Sequence, residues 1–343
     1  MSFIYFISIC LILCQFSSAA LFPTAKNNDY KVIQTGNRRY TVFGTRTFGS
    51  DITSMVSSLK NPSNQGLCRK LLLVQRHAYG NHQATKDIVG STLFSTYYGR
   101  KEYFVVPDKK TLVEPGKSAL EDLNLLRHPS RVNNNLDSVG NLRKLDKKGK
   151  LIYEVRLLDP ALTIKGVLQC NKFANNIEKL GESINNWKPN ILMVSPMVRT
   201  LQTATYGWWR DNISKLRNIF IMDELRERAS TLVSDVLQPR QKTLSELPWI
   251  QNWQYFTAKE AKTIGVLKSN LKFETITELK LRAKRFLDIL FKDPSFRDQK
   301  RIGIVSHGGF LQKGLLSYLS LETPEFQNVE LRALVVEGKC SRS

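Results

Sequence analysis

The sequence predicts an α/β protein, a three-layer sandwich with a mostly parallel central sheet flanked by helices. Two observations predict this fold: short apolar runs recur along the chain, and longer segments with helical periodicity lie between them. Strands covered by helices on both faces are apolar at nearly every position, whereas strands with one face in water alternate. Helical segments between such runs favour parallel strands.

Four apolar runs are the predicted strands, and two periodic segments are the predicted helices. The runs cover residues 71–75, 191–195, 219–222 and 302–306. Segments 163–180 and 277–291 place apolar residues three and four positions apart, which is typical of one buried helix face. We expect all four strands to lie in one sheet.

The composition is that of a folded, strongly basic chain. It has 343 residues, 42% of them hydrophobic, with 51 Lys and Arg against 30 Asp and Glu and a net charge of +21. These values exclude a disordered polyelectrolyte and a collagen-like repeat. A chain of this length buries enough surface to fold without disulfides or metals. The positive charge favours phosphorylated or acidic partners and says little about the fold.

The first 20 residues have the pattern of a signal peptide. An apolar core at residues 3–13 is followed by small residues 17–20, which fit a signal-peptidase site after Ala20. The positive charge before this core is only the α-amino group. The pattern predicts the secretory pathway or an extracellular location. No later apolar run reaches the length of a membrane span, so no stable membrane anchor is expected.

The rest of the chain divides by composition. A polar N-terminal extension at residues 21–66 precedes the main domain, predicted at 67–335, and a C-terminal tail follows at 336–343. Within the main domain, residues 98–151 are rich in Lys, Arg, Asn and Gly. We expect them to form a basic surface insertion.

Three cysteines remain once the signal peptide is removed: Cys68, Cys170 and Cys340. An odd number permits at most one disulfide and leaves at least one free thiol. The sequence leaves open whether Cys68 pairs with Cys170 or with Cys340.

Chemistry-bearing side chains follow each of the four predicted strands. In chain order they are Arg76 and His77, then Arg199, then Glu224 and Glu227, and finally His307. In parallel α/β sheets, ligands bind at the edge where the carboxyl ends of the strands meet. We therefore expect these side chains to converge on one cleft.

The residue types suit the transfer of a phosphoryl group. Arginine presents a planar, permanently charged fork that binds phosphate oxygens in pairs. One histidine can act as nucleophile while the other contacts the phosphate. A glutamate beside them can protonate a leaving alkoxide and then deprotonate water. A helix beginning after His307-Gly308-Gly309 adds backbone amide donors.

These segments resemble the motifs of the histidine phosphatase superfamily, the phosphoglycerate mutase-like proteins. Arg76-His77-Ala78 is similar to the Arg-His-Gly motif, in the branch with Gly or Ala at the third position. Residues 159–169 are similar to the family's Asp-Pro-x-Leu-Thr-x-x-Gly-x-x-Gln segment, and residues 195–204 and 306–309 are close matches to two further motifs. The resemblance covers roughly residues 71–319 apart from the basic insertion.

The resemblance implies a phosphatase, a phosphomonoester hydrolase acting through a phosphohistidine. It implies that His77 accepts the phosphoryl group and that Arg76, Arg199 and His307 bind the phosphate, His307 being catalytic as well. It implies Glu227 as the acid/base, with Glu224 as the competing candidate. Gln83 stands where the branch has Asn as an auxiliary phosphate ligand. The family needs no metal or organic cofactor, and the expected partner is a small phosphorylated substrate.

Three alternatives stay open. The residues after Glu227 lack the Gly-containing segment of glycolytic mutases, and predicted secretion also favours a phosphatase over a phosphoglycerate mutase-type phosphotransferase, which must protect its phosphoenzyme from water. A catalytically weak member that binds phosphorylated or polyanionic ligands is the second alternative. Nucleic-acid binding, suggested by the charge, is not expected because the sequence has no recognisable RNA or DNA module.

Overall fold

The structure is a computed structural model. It describes residues 40–47, 52–60, 66–105, 141–145, 151–183, 187–208, 218–256 and 273–340. The predicted signal peptide and most of the predicted basic insertion lie outside these residues. None of the described helices is long and apolar enough to cross a membrane.

Ten strands run through the described residues. In chain order they are β1 Tyr40–Thr47, β2 Leu67–Arg76, β3 Tyr103–Val105, β4 Asn141–Leu145, β5 Leu151–Arg156, β6 Ile191–Val194, β7 Ile219–Ile221, β8 Gln254–Tyr255, β9 Arg301–Ser306 and β10 Leu331–Lys339.

Eight α-helices are described between and around these strands. They are α1 Thr53–Ser58, α2 Asn81–Val89, α3 Ser91–Thr96, α4 Ile164–Ser183, α5 Val198–Gly207, α6 Arg240–Glu246, α7 Ile276–Lys292 and α8 Pro294–Arg297. A π-helix, Phe310–Leu316, follows β9. The two helices predicted from periodicity are α4 and α7. A capping box formed by Thr275 and Glu278 fixes the start of α7.

The central sheet has seven strands in the order β1-β10-β2-β9-β6-β7-β8. The four predicted strands are β2, β6, β7 and β9, and their pairings with one another are all parallel. Their carboxyl ends therefore lie at one edge of the sheet, as predicted.

Helices cover both faces of this sheet, which confirms the three-layer prediction. Leu71 and Leu73 of β2 belong to the core that includes Phe173 of α4. Leu72, between them, belongs to the opposite core, which includes Phe286 of α7. Successive side chains of a strand point to opposite faces, so an apolar run with no alternation is what two cores require.

The central sheet extends beyond the predicted boundaries of the main domain at residues 67 and 335, and the division into domains stays a prediction. Strand β1, from the predicted extension, pairs with β10, and β10 runs on to Lys339 in the predicted tail. The charges of Arg332 and Glu337 interrupt the apolar pattern of β10 in the sequence. In the structure Arg332 pairs with Glu330, and Glu337 with Arg69 of β2, so both charges are tolerated in a buried strand.

A disulfide joins Cys68 at the start of β2 to Cys340 just after β10. The pairing left open by the sequence is thus Cys68 with Cys340, and Cys170 is a buried free thiol. The disulfide joins positions 272 residues apart and fixes the end of the chain to the centre of the sheet.

The described ends of the predicted insertion form a second, small sheet. Its three antiparallel strands have the order β3-β5-β4. The residues between β3 and β4 lie outside the described part of the chain. The prediction of a basic surface insertion is not tested by the described strands.

Candidate active site

His77 follows the last residue of β2, in the middle of the sheet. Its amide donates to the carbonyl of Ser306, at the end of neighbouring β9, over 2.9 Å. The buried ring has its Nδ1 2.7 Å from the carbonyl oxygen of Ala78. A carbonyl can only accept, so Nδ1 carries the ring hydrogen and Nε2 keeps a lone pair.

The charge state of His77 is set by its surroundings. Burial lowers the pKa of His77 well below its usual value, and the nearby positive charges of Arg199 and Arg76 lower it further. The ring is therefore neutral at neutral pH. A neutral ring whose Nε2 holds a lone pair is the form that can attack an electrophile.

The loop after His77 is held at each backbone amide. The amides of residues 78–81 donate in order to Thr203 Oγ1, Gln169 Oε1, Gln83 Oε1 and the Ala161 carbonyl, at 2.9–3.1 Å. Thr203 and Gln169 belong to two of the motif segments named from the sequence. The structure gives these motif residues a physical role, which is to fix the backbone beside His77.

The Thr-x-x-Gly part of segment 159–169 fits around the carbonyl of Tyr79. Both the amide and the hydroxyl of Thr163 donate to this oxygen, over 3.0 and 3.2 Å. A Cβ on Gly166 would lie 2.2 Å from the same oxygen. Only glycine therefore allows the loop to lie this close to α4.

Arg76 and Arg199 bring two guanidinium groups to the same end of the sheet. Arg199 is only 1% exposed and donates from Nη1 to the Ser234 carbonyl over 2.8 Å. Arg76 donates from Nη1 to the Phe326 carbonyl. In both residues Nε is buried without a hydrogen-bond partner in the described part of the chain. Such unpaired donors are costly unless a ligand satisfies them, and an anion would satisfy both.

His307 lies at the end of β9, with its ring centroid 5.1 Å from that of His77. Its Nε2 is 2.8 Å from Ser195 Oγ, which also accepts from the Met197 amide. In the tautomer in which the Ser195 hydroxyl donates to Nε2, the His307 ring hydrogen lies on Nδ1. This Nδ1 is buried and has no partner among the described residues. In this tautomer it is a third unpaired donor.

The carboxylate of Glu227 lies against the start of the helix that follows His307. Its Oε1 accepts from the amides of Arg228 and Phe310, over 2.8 and 3.1 Å, and its Oε2 accepts from the Gly309 amide over 3.4 Å. A Cβ on Gly309 would lie 2.3 Å from Oε1. Glycine at 309 thus makes room for the carboxylate, and amide donors at a helix start stabilise its negative charge.

A cleft of about 490 Å³ opens over these residues. Arg76, His82, Gln83, Glu227 and Gly309 are among the residues that line it. His77 lies directly behind this lining, since its ring centroid is 5.6 Å from that of His82. Residues that follow β2, β7 and β9 thus line one cleft, and Arg199, which follows β6, lies 3.7 Å from the lining residue Asp235.

The two glutamate candidates differ in position. Glu227 lines the cleft, whereas Glu224 does not. Glu224 lies on the 3₁₀ turn Asp223–Leu225, and its carbonyl accepts from Nη1 of Arg282 over 2.9 Å. The geometry therefore favours Glu227 as the carboxylate that can meet a ligand.

Gln83 lines the cleft, but its amide group is engaged. Its Nε2 lies 3.2 Å from Asn328 Oδ1, and its Oε1 accepts from Asn328 Nδ2 over 3.1 Å. Asn328 Nδ2 also donates to the carbonyl of His77 over 3.0 Å. The role of Gln83 as a phosphate ligand stays a prediction, and its observed contact fixes Asn328 behind His77.

Sequence reasoning missed Asp235, which also lines the cleft. Its Oδ1 is 3.7 Å from Nη2 of Arg199, and its Oδ2 accepts from the Ser230 hydroxyl over 2.5 Å. Burial and the charge of Glu227 raise the pKa of Asp235 to about 6, against the opposing charge of Arg199. Asp235 belongs to no motif, and only the fold brings it to Arg199.

Asp159, the first residue of segment 159–169, contacts a helix further along the chain. Its carboxylate accepts from the amide of Val198, the first residue of α5, over 2.9 Å, and from the amide of Gln238 over 3.3 Å. Asp159 thus anchors the start of the helix that carries Arg199. Burial raises its pKa to about 6 in spite of the charges of Arg199 and Arg156.

A family model described as the histidine phosphatase superfamily, branch 1, matches residues 153–337. The match spans more than half of the chain and includes Arg199, Glu227 and His307. The chain belongs to the histidine phosphatase superfamily. Membership supports an enzyme of the phosphatase type. The matched region begins after His77, so the place of His77 in the site comes from the structure.

Several solved structures are similar to this chain. An ecdysone phosphate phosphatase from Bombyx mori, in complex with tungstate, is 13% identical, with 80% of this chain and 94% of that chain covered and a TM-score of 0.38. A phosphoserine phosphatase mutant from Entamoeba histolytica, in complex with phosphoserine, is 15% identical, with 76% and 88% covered and a TM-score of 0.32.

A mycobacterial glucosyl-3-phosphoglycerate phosphatase is 12% identical, with 77% of this chain and 92% of that chain covered and a TM-score of 0.36. Likeness at this level says nothing about the substrate of this chain. No curated protein matches the chain in sequence.

Proposed function

We propose that this protein is a phosphatase that hydrolyses phosphomonoesters through a phosphohistidine on His77. The observation that carries the proposal is the buried, neutral His77, whose Nδ1 hydrogen is held by the Ala78 carbonyl. Three unpaired buried donors, Arg76 Nε, Arg199 Nε and His307 Nδ1, belong to residues at the same end of the sheet. Their chemistry fits the oxygens of a phosphoryl group.

The first half-reaction transfers the phosphoryl group to the enzyme. His77 Nε2 forms a bond to phosphorus while the bond between phosphorus and the alcohol oxygen breaks. Glu227 donates a proton to the departing oxygen, so that an alcohol leaves. Arg76, Arg199 and His307 stabilise the charge on the phosphoryl oxygens.

The second half-reaction restores the enzyme. The Glu227 carboxylate takes a proton from water as the water oxygen attacks phosphorus. The bond between phosphorus and Nε2 breaks, and the lone pair returns to a neutral imidazole. Inorganic phosphate leaves, and the proton on Glu227 serves the next cycle. In this scheme the acid and base steps need one carboxylate, and Glu227 is the glutamate that lines the cleft.

We further propose that the protein works in the secretory pathway or outside the cell. The apolar segment at the N-terminus supports this location. The Cys68–Cys340 disulfide supports it independently, because such bonds persist in oxidising compartments.

The direct test is to trap the phosphoenzyme. The full chain, produced through a secretory host, is incubated with a radiolabelled aryl phosphate without added metal and quenched, and acid-labile protein-bound phosphate is measured. We expect label and turnover in the wild type and neither in His77→Ala, with the folding of each variant checked by thermal unfolding.

A matched variant, His82→Gln, identifies the phosphorylated histidine, because the two rings are neighbours. We expect His82→Gln to retain the label. Label that persists in His77→Ala and disappears in His82→Gln would assign the nucleophile to His82 and overturn the mechanism. Absence of label and turnover with every phosphomonoester tried, across pH 4 to 8, would favour a protein that only binds phosphorylated ligands.

A further inference from the structure

The outer part of the cleft carries two lysines, Lys86 and Lys313. Lys86 is four residues after His82 on α2, and Lys313 is four residues after Gly309, on the π-helix Phe310–Leu316. The His82 ring centroid is 5.6 Å from that of His77, and the Gly309 amide donates to Glu227. Residues four apart on a helix lie about one turn apart on the same face, so each lysine is about one helical turn beyond a neighbour of the proposed site.

Neither lysine is neutralised by a residue in the described part of the chain. Both are exposed, and neither forms an ion pair or hydrogen bond with a residue that the structure describes. Other exposed cations of the described chain do form pairs; Lys292, for example, lies 2.7 Å from Asp288. Two unpaired cations on the walls of one cleft raise its positive potential.

The same cleft is lined by three carboxylates, and its four cations, Arg76, Arg228 and the two lysines, outnumber them. Each carboxylate also has a hydrogen-bond partner. Glu227 accepts from three backbone amides. Asp235 is held by Arg199 and Ser230. Asp87 accepts from the hydroxyl of Tyr79.

A third cation at the rim, Arg228, is held in place. Its Nε donates to the Glu274 carbonyl over 2.8 Å, and its guanidinium carbon lies 4.2 Å from the centre of the Phe273 ring. The Nη atoms of Arg228 are not used in these contacts. The rim of the cleft thus combines one fixed guanidinium with two ammonium groups that have no partner among the described residues.

We propose that the cleft recognises small phosphomonoesters that carry a second anionic group, a phosphate or a carboxylate, about one helical turn from the reacting phosphate. The inference rests on the proposed function and adds the class of substrate. Lys86 and Lys313 bind the second anion. Phe94 and Leu232, which also line the cleft, provide apolar surface for the carbon chain between the two anions. A cleft of this volume suits a small molecule.

The test compares three substrates with the same three-carbon linker. They are 3-hydroxypropyl phosphate, propane-1,3-diol bisphosphate and 4-phosphonooxybutanoate, with 4-nitrophenyl phosphate as the reference for turnover. We expect kcat/KM for at least one of the two compounds with a second anionic group to exceed that for 3-hydroxypropyl phosphate by about tenfold, the combined effect of two exposed ion pairs. The preference should fall as salt is added. Which compound shows it distinguishes a phosphate from a carboxylate as the second anion.

The double variant Lys86→Met, Lys313→Met should bring the ratio of kcat/KM between the preferred compound and 3-hydroxypropyl phosphate close to one. Lys172→Met is the matched control, because it removes the same charge from an exposed position on α4 that does not line the cleft. It should leave both the ratio and the turnover of 4-nitrophenyl phosphate unchanged. Lys86 lies in the last turn of α2, where a cation also stabilises the helix. A purely structural role would change thermal unfolding and leave the substrate ratio as it is.

Failure of this inference and failure of the proposed function give different results. Hydrolysis of 4-nitrophenyl phosphate with a ratio near one in the wild type would overturn the second-anion site and leave the phosphatase in place. Binding is also measured by calorimetry on His77→Ala, in which no turnover is expected. Tighter binding of a compound with a second anionic group to His77→Ala supports the site even without hydrolysis, provided that adding Lys86→Met and Lys313→Met removes the difference in affinity. Equal binding of all three compounds overturns it.

Discussion

Strand β2 carries a cation near each end, buried Lys70 and half-buried Arg76, and the two differ in their hydrogen bonding. Lys70, near the start of the strand, is 1% exposed and donates from Nζ to the carbonyls of Phe296, Arg297 and Gln299 at 2.7–2.8 Å. All three of its hydrogens are used. Arg76, at the other end, pairs with one carbonyl and keeps a buried Nε without a partner in the described chain.

The difference shows how a structural cation can be told from a functional one. Lys70 binds carbonyls at the C-terminus of α8 and in the turn that follows it. The fold itself therefore provides acceptors for all three ammonium hydrogens. Burial lowers the pKa of Lys70 to about 8, opposed by the charge of Asp298, and the group remains mostly charged at neutral pH. Arg76 is left with unused hydrogen-bonding capacity beside His77. The fold retains that capacity for a ligand, and catalytic sites commonly carry such a cost in stability.

The largest expected effect is the loss of activity in Arg76→Met. Loss of one charge-stabilising donor typically lowers kcat by about 10² to 10³-fold, and we expect kcat/KM for an aryl phosphate to fall by that amount. The free energy of unfolding should change by less than about 1 kcal/mol, because a half-buried, partly unpaired cation is replaced by an apolar chain of similar length. Steady-state kinetics and urea unfolding measure the two quantities.

Arg76→Lys is the matched variant for this prediction. It keeps the charge and loses the planar fork, so it should recover only part of the activity. If Arg76→Met kept most of its activity while losing several kcal/mol of stability, Arg76 would be a structural cation like Lys70.

The reciprocal result is expected for Lys70→Met. Removing the ammonium group leaves three buried carbonyls without this donor, and we expect the free energy of unfolding to fall by about 3 kcal/mol. Because Lys70 lies at the opposite end of β2 from His77, kcat/KM should stay within about twofold of the wild type at a temperature where the variant is folded. A large loss of kcat/KM in the folded variant would remove the distinction between the two ends of the strand.

The smallest expected effect concerns Asp235 and pH. Below pH 6 Asp235 is mostly protonated and neutral, because burial and Glu227 raise its pKa to about 6. Above pH 6 its negative charge, 3.7 Å from Arg199, competes with the phosphate for that guanidinium. We therefore expect KM for an aryl phosphate to rise a few-fold as the pH increases from 5 to 7. In Asp235→Asn this rise should be absent.

His77 is not the source of this pH dependence of KM. Burial lowers the pKa of His77 well below its usual value, so His77 stays neutral over the same pH range and does not produce the change. A KM that rises between pH 5 and 7 in Asp235→Asn as it does in the wild type would show that another group is responsible.

Much of the site followed from the sequence, for a physical reason. Strands buried on both faces must be apolar throughout, so polar residues such as Arg76 and His307 mark the strand ends clearly. Parallel strands place their carboxyl ends together, which brought Arg76 and Glu227 to one cleft without any knowledge of the loops. Strand β10 was harder to find, because the ion pairs that make Arg332 and Glu337 acceptable in a buried strand form only after folding.

The sequence by itself determined the fold class, the order of the four parallel strands along the chain and the residues at their ends, since these depend on local patterns of apolar and polar side chains. Tertiary structure alone decided which donors stay unpaired, which glutamate lines the cleft, and that Asp235 lies beside Arg199. It also selected Cys340 as the partner of Cys68. Each of these depends on distances between segments far apart in the chain, and hydrogen bonding, burial and charge act through those distances.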